Sequence, residues 1–420
     1  MSTTTPLSQH DLIALEDQYG AHNYKPLNIV VASAQGSWVT DVDGNKYLDC
    51  LSAYSAVNQG HCHPKILATM LEQAQKVTLS SRAFRNDQLP LFYETLCQLT
   101  GYQSAIPMNS GAEAVETAVK LARKWGYEHK GIAANQAEII VCENNFHGRT
   151  TTVVSFSTEA DYRKNFGPFT PGFKVIPFGD LAALEAAITP NTCAFLFEPI
   201  QGEAGINIPP QGFIQGAIAL CKQHNVLSMA DEIQCGLGRA GALFAFEADC
   251  TNRSQCLATK QCPPAGMQCC RPDVVILGKA LSGGFYPVSA VLTSTEMMSV
   301  FTPGIHGSTF GGNPLGCAVA RTALQVLTDE GMIENAATLG PWFLKQLKTI
   351  QNPKIKEVRG RGLMIGIEMT EKVRPYCEQL KTLGVLCKET HDVVIRLTPP
   401  LIISKADLEW ALERLHQVLA

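Results

Sequence analysis

The sequence predicts an α/β protein: a large domain on a mostly parallel central sheet, joined to a smaller α+β domain. Three observations carry this. At 420 residues the chain exceeds one ordinary domain. From about Asn58 to Ala320 short apolar runs alternate with helical patterns, the signature of βαβ units and a parallel sheet. Beyond that the pattern becomes two separated strands and a terminal helix. The organisation read from these changes is an N-terminal segment, 1–58, packing with the small domain, a large domain, 59–320, and a C-terminal small domain, 321–420.

In chain order, the alternation from Trp38 to Tyr47 around Asp43-Gly44-Asn45 predicts a hairpin. Ser110-Gly111-Ala112-Glu113 has the spacing of a capping box, and Val115, Ala118, Val119, Ala122 and Trp125 then fall on one helical face. Strands are predicted at 138–142, 193–197, 226–230, 274–277 and 289–293. Glu198, Asp231 and Lys279 stand at or just past their ends, where ligands of open α/β sheets bind. Asn313-Pro314 opens a long amphipathic helix; strands at 363–368 and 393–397 and a helix from Lys405 build the small domain.

Composition narrows the partners. With 45% hydrophobic and 17% charged residues and a net charge of −4, nothing points to nucleic acid or an anionic membrane surface. No apolar run reaches the roughly 18 residues that span a bilayer. The segment 1–20 has no Arg or Lys and no apolar h-region, so a cytoplasmic location is expected. Cys97, Cys193, Cys221, Cys317 and Cys387 lie singly in apolar settings and read as reduced core residues. His61-Cys62-His63 lacks a distant partner pair and reads as packing, so no metal is expected. Gly236-Leu237-Gly238-Arg239 is too short for a dinucleotide fingerprint.

Chemistry concentrates where a buried strand delivers Lys279 into a Gly-rich turn. A buried ammonium is costly unless paired or neutralised, and a desolvated lysine is a nucleophile able to hold a carbonyl cofactor as a Schiff base. Alone, Lys279 reads more readily as a surface lysine after a strand; its neighbouring motifs reverse that. Asp231 at a strand end can hold a pyridine nitrogen protonated, or simply cap a helix. The helix start at Gly111 and Ala112 offers amides to a phosphate, or only a capping box. Phe146 can stack on a planar ring and Arg149 can clamp a carboxylate. Arg396, inside an apolar strand, needs an anion, either a protein acid or a substrate.

Six ordered motifs are NSGAEA at 109–114, NFHGRT at 145–150, EPIQGE at 198–203, DEIQ at 231–234, LGKA at 277–280 and HGSTFGGNP at 306–314. Together they resemble the class III pyridoxal-phosphate aminotransferases over nearly the whole chain. The wording of 19–24, 52–64, 121–127 and 283–292 is similar to the branch of that family that uses ornithine.

The resemblance implies a fold-type I transferase whose large domain binds pyridoxal 5'-phosphate. Lys279 would carry the cofactor, Asp231 pair with its ring nitrogen, Gln234 lie near its phenolic oxygen and Phe146 stack on it. Gly111 and Ala112 would hold the phosphate, with Thr309 reaching from a second subunit of a homodimer or higher oligomer. Tyr24 and Arg149 would bind the α-groups of L-ornithine, with Tyr54 lining the pocket. Glu203 would mask Arg396 until 2-oxoglutarate arrives. A related donor, acetylornithine or 4-aminobutyrate, and a silent binding relative are the alternatives.

Two departures stand out. His147 occupies a position where some members of the ornithine branch carry tryptophan. Relative to the family, Cys250 to Cys270 is a Gln-, Pro- and Ala-rich insertion holding Cys250, Cys256, Cys262, Cys269 and Cys270. Its spacing fits no paired zinc pattern; a metal or redox element, a surface loop and a translated intron all remain open.

Overall fold

A computed structural model describes residues 7–249 and 271–420, so the Cys-rich insertion lies outside the described residues. Its central sheet has seven strands, ordered Ser104–Met108, Ser289–Thr293, Val274–Leu277, Leu227–Asp231, Thr192–Phe197, Glu138–Cys142 and Phe173–Ile176. Neighbours run parallel except Ser289–Thr293, which is antiparallel to both of its partners. All five expected strands are present, two with ends displaced by one residue. The two that sequence patterning missed are the sheet edges. Ser104–Met108 carries Pro107, and Phe173–Ile176 is only four residues long with one buried position, so neither shows a continuous apolar run.

Alternate residues of the inner strands feed two cores. Ile139, Val141, Leu196, Met229 and Ile276 pack with Val115, Ala118, Val119 and Ala122 of the helix Gly111–Glu128. Ile140, Phe195, Phe197, Ala230, Val275 and Leu277 join the helices Phe213–Gln223 and Pro314–Asp329 on the opposite side. Burial on both faces explains why these strands read as unbroken apolar runs; each large side chain taken from water contributes roughly 1.5–3 kcal/mol. The same two layers fix the strand ends, so Glu198, Asp231 and Lys279 emerge side by side.

A second, antiparallel sheet is ordered Ile355–Arg361, Met364–Met369, Val394–Leu397, Lys388–Thr390. The expected hairpin is present as Trp38–Asp41 and Lys46–Asp49, flanked by Val31–Gln35. Its outer strand pairs in parallel with Val385–Leu386, and Trp38 stacks edge-on against Trp410 at 5.1 Å while donating to Asp407. The N-terminal hairpin is thereby fastened to the C-terminal part of the chain.

Cys193, Cys221, Cys317 and Cys387 are buried free thiols, and Cys97 is half-buried. His61 and His63 bond separate carboxylates, Asp49 at 2.8 Å and Glu330 at 3.1 Å, so each has a structural partner of its own. No helix among the described residues is long and apolar enough to cross a membrane.

Candidate active site

The strand ends open on two adjoining chambers. The inner one, of about 190 Å³, is lined by Gly111, Ala112, Phe146, Asp231, Gln234 and Lys279 among others. The outer one, of about 720 Å³, shares Phe146, Glu203 and Lys279 with it and adds Tyr24, Tyr54, Arg149, Lys388 and Arg396. Eleven of the twelve residues expected at the site therefore converge. Thr309 lines neither chamber; it is exposed on the loop before Pro314.

Lys279 follows Val274–Leu277 directly after Gly278 and takes a φ of +42°, a left-handed conformation costly for a residue with a Cβ. Gly278 lets the turn sit close to the phosphate-binding candidate: a Cβ there would lie 3.4 Å from Gly111 Cα. Burial lowers the Lys279 ammonium below its ordinary value, partly opposed by the charges of Glu203 and Asp231.

The helix Gly111–Glu128 starts with the expected capping box. Glu113 accepts the Ser110 amide at 2.7 Å and the Ser110 hydroxyl accepts the Glu113 amide at 3.3 Å. Capping and anion binding are therefore not alternatives here, because the box engages neither the Gly111 nor the Ala112 amide, and both residues line the chamber.

Asp231, the last residue of its strand, is buried and doubly held. Its Oδ2 lies 2.6 Å from His147 Nδ1, and its Oδ1 accepts the Ile233 amide at 3.0 Å. Burial alone would depress the His147 imidazole, but the bond to Asp231 and its charge outweigh this and hold it above its ordinary value. Glu198, which accepts the Phe146 amide at 3.0 Å, is pushed up to about 8 by burial, with His147 opposing and Asp231 adding to the rise.

In the outer chamber Arg396 Nη1 donates to Glu203 Oε1 at 2.6 Å, and Gln234 Nε2 donates to the same oxygen at 2.8 Å. Burial alone would raise the Glu203 carboxyl; Arg396 and Lys279 bring it net below its ordinary value. The close fit requires Gly202, since a Cβ there would fall 1.5 Å from Gln234 Oε1. The Arg396 guanidinium also lies 4.8 Å from the Tyr54 ring centroid. Tyr54 reaches it from a run of left-handed residues, Ser52 to Ser55, with φ from 45° to 72°. Asp49 holds that run by accepting the Leu51 and Ser52 amides, both at 2.8 Å.

Arg149 spreads over Tyr162 at 4.0 Å and Phe146 at 5.5 Å, and makes no ion pair among the described residues. Sequence reasoning missed Tyr162 and Lys388, which carry no local signal. It also left His147 as a mere departure, although its place beside Phe146 at a strand exit is a signal that it reaches the site.

The family model described as Aminotransferase class-III matches residues 19–419. The chain is 58% identical over 408 residues to an ornithine aminotransferase of Brevibacillus brevis, covering 97% of this chain and 98% of that one. An ornithine aminotransferase structure from Toxoplasma gondii superposes with a TM-score of 0.92 at 42% identity, covering 98% of this chain and 94% of that one. An acetylornithine aminotransferase structure from Elizabethkingia anophelis is similar at a TM-score of 0.87 and 49% identity, covering 98% of each.

Proposed function

The chain belongs to the class III aminotransferases, and from that premise we propose that it moves the δ-amino group of L-ornithine to 2-oxoglutarate. The products are glutamate and glutamate 5-semialdehyde, which cyclises to pyrroline-5-carboxylate. The observation that carries this reading is the Glu203–Arg396 pair in a chamber that also holds Tyr24 and Arg149.

The residues of the inner chamber fit pyridoxal phosphate as a donor set. Unengaged helix amides at Gly111 and Ala112 suit a phosphate, the Asp231 carboxylate suits a protonated ring nitrogen, and Phe146 and Ile233 present apolar surfaces to a flat ring. Gln234, whose Oε1 is buried without a partner among the described residues, suits the phenolic oxygen's neighbourhood. When bound, the cofactor supplies a carbonyl carbon that takes up the amino group and a ring that withdraws electrons from the reacting carbon.

The chain's own residues do the rest. Lys279, its ammonium destabilised by burial, supplies a free amine that takes a proton from the δ-carbon of ornithine and, in the second half, works at the α-carbon of glutamate. Arg149 binds the ornithine α-carboxylate and Tyr24 its α-amino group, which turns the δ-amine inward. Glu203 meanwhile neutralises Arg396 and rejects substrates that need it. When 2-oxoglutarate enters, Glu203 gives way and Arg396 binds its α-carboxylate. Thr309, exposed and away from both chambers, serves the phosphate site of a second copy in a homodimer.

A second reading takes acetylornithine as donor, favoured by the 49% identity to the Elizabethkingia enzyme. Purified protein mixed with ornithine, acetylornithine or 4-aminobutyrate, with and without 2-oxoglutarate, tests the choice. Ornithine should bleach the cofactor absorbance fastest and 2-oxoglutarate restore it; a clear preference for another donor overturns the assignment.

A further inference from the structure

The exchange proposed above leaves one charge unaccounted for. Once a substrate carboxylate takes Arg396, the half-buried Glu203 carboxylate keeps the Gln234 amide but loses its cation, which is unfavourable where water only partly reaches it. A second cation within reach would compensate that loss.

We propose that Lys388 is that cation: it takes over the Glu203 carboxylate while Arg396 holds substrate. This inference rests on the Glu203–Arg396 exchange. Lys388 is the register partner of Arg396 in the antiparallel pair of Lys388–Thr390 with Val394–Leu397, so the two side chains rise from the same face as neighbours. Both line the outer chamber with Glu203. Thr390, two residues along the same strand, donates its hydroxyl to the Glu203 carbonyl, which ties the Glu203 backbone to that strand. The carboxylate can therefore pass from Arg396 to Lys388 by side-chain rotation alone.

The other cations of the chamber are committed. Lys279 is needed for the chemistry, and Arg149 is spread over Tyr162 and Phe146. The Lys388 ammonium makes no hydrogen bond or ion pair among the described residues and rests 5.9 Å from the Tyr24 ring centroid. Burial lowers its pKa; Glu389 and Glu203 oppose the fall, and Arg374 and Arg396 add to it. Its flexible stem suits a transient partner better than a planar guanidinium fixed in a strand. The switch is then a swap between two ion pairs, and Glu203 is never left bare.

The test is a cycle of Lys388→Met, Lys388→Arg, Glu203→Ala and the Lys388→Met/Glu203→Ala double variant. Each is studied as holoenzyme with the two half-reactions followed separately in rapid mixing, and with glutarate binding measured by calorimetry. Lys388→Met should lose about tenfold more in the 2-oxoglutarate half-reaction than in the ornithine half-reaction, with a parallel loss of glutarate affinity. Lys388→Arg should recover most of both, and Lys388→Met should add no further loss once Glu203 is alanine. Equal losses in the two half-reactions overturn the proposal. So does an undiminished loss in the Glu203→Ala background, because Lys388 would then act on the substrate itself. The exchange reading fails separately, if Glu203→Ala leaves the use of glutamate as donor unimproved.

Discussion

His147 Nδ1 and Asp231 Oδ2 stand 2.6 Å apart in a fully enclosed corner of the inner chamber, and each is the other's only charged partner at bonding distance among the described residues. Replacing His147 by leucine leaves a buried carboxylate with only the Ile233 amide. The cofactor-free protein should lose about 3 kcal/mol of stability. A bound ring nitrogen would repair part of this, so the deficit should shrink in the holoenzyme. Thermal unfolding of both forms checks it; an equal deficit in each would place the ring nitrogen elsewhere than at Asp231.

Much of this corner was legible in the sequence. Asp231 and Lys279 end apolar runs, and a parallel sheet buried on both faces sends such ends to one crevice, so their convergence follows from patterning. The capping box at Ser110 was equally plain. What patterning could not give was contact between residues far apart in the chain. The His147–Asp231 bond spans 84 positions and the Glu203–Arg396 bond 193, and neither leaves a local trace. Nor does periodicity reveal that Ser52 to Ser55 turns left-handed to bring Tyr54 under Arg396, because no glycine marks the turn. Thr309 was legible as a motif residue only; in this chain it is exposed and lines neither chamber.

Glu203 predicts a selectivity change. With Arg396 unmasked by Glu203→Ala, α-amino donors that carry a second carboxylate gain a permanent binding cation. The ratio of kcat/KM for glutamate over ornithine should rise by about tenfold or more, equivalent to the loss of one buried competing ion pair. Parallel assays with the two donors measure it, and an unchanged ratio removes Glu203 as the discriminating residue.

Glu198 predicts a pH dependence with a definite sign. Its native carboxyl is pushed up to about 8, from an ordinary value of 4.5, by burial. Between those values the native state holds a proton that the unfolded chain has released, so stability is fully present at the acid end and is lost as pH rises through the window. The raised imidazole of His147 acts in the same direction, its contribution lost as pH rises through its native value. Glu198→Gln keeps an acceptor for the Phe146 amide but cannot titrate. Its stability should fall less steeply with pH than that of the unmodified protein, by up to about 1.4 kcal/mol per pH unit. Denaturant unfolding of the cofactor-free proteins from pH 5 to 8 checks this; identical slopes would mean that Glu198 is already ionised.

Arg239, in the turn at 236–239, is a buried cation that knits distant parts of the site together. Its guanidinium is fully buried with no carboxylate bonded to it among the described residues and donates instead to Leu363 and Pro399 carbonyls, Ser52 Oγ and Asn58 Oδ1. Those acceptors lie on three separate stretches of chain, so one side chain ties its own loop to the Tyr54 turn and to the strand exit beyond Arg396. Ser52 extends the link by donating to the Thr398 carbonyl at 2.5 Å. Arg239→Met removes the charge and fills much of the space, but leaves buried carbonyls without donors. The expected loss is about 3 kcal/mol of stability. Because Tyr54 and Arg396 are held through this link, KM for 2-oxoglutarate should rise more than KM for ornithine in the folded fraction. Lysine at 239 can satisfy only some of the acceptors and should fall between the two; a methionine variant with normal stability and an unaltered KM ratio would show that the link does not position the Tyr54–Arg396 pair.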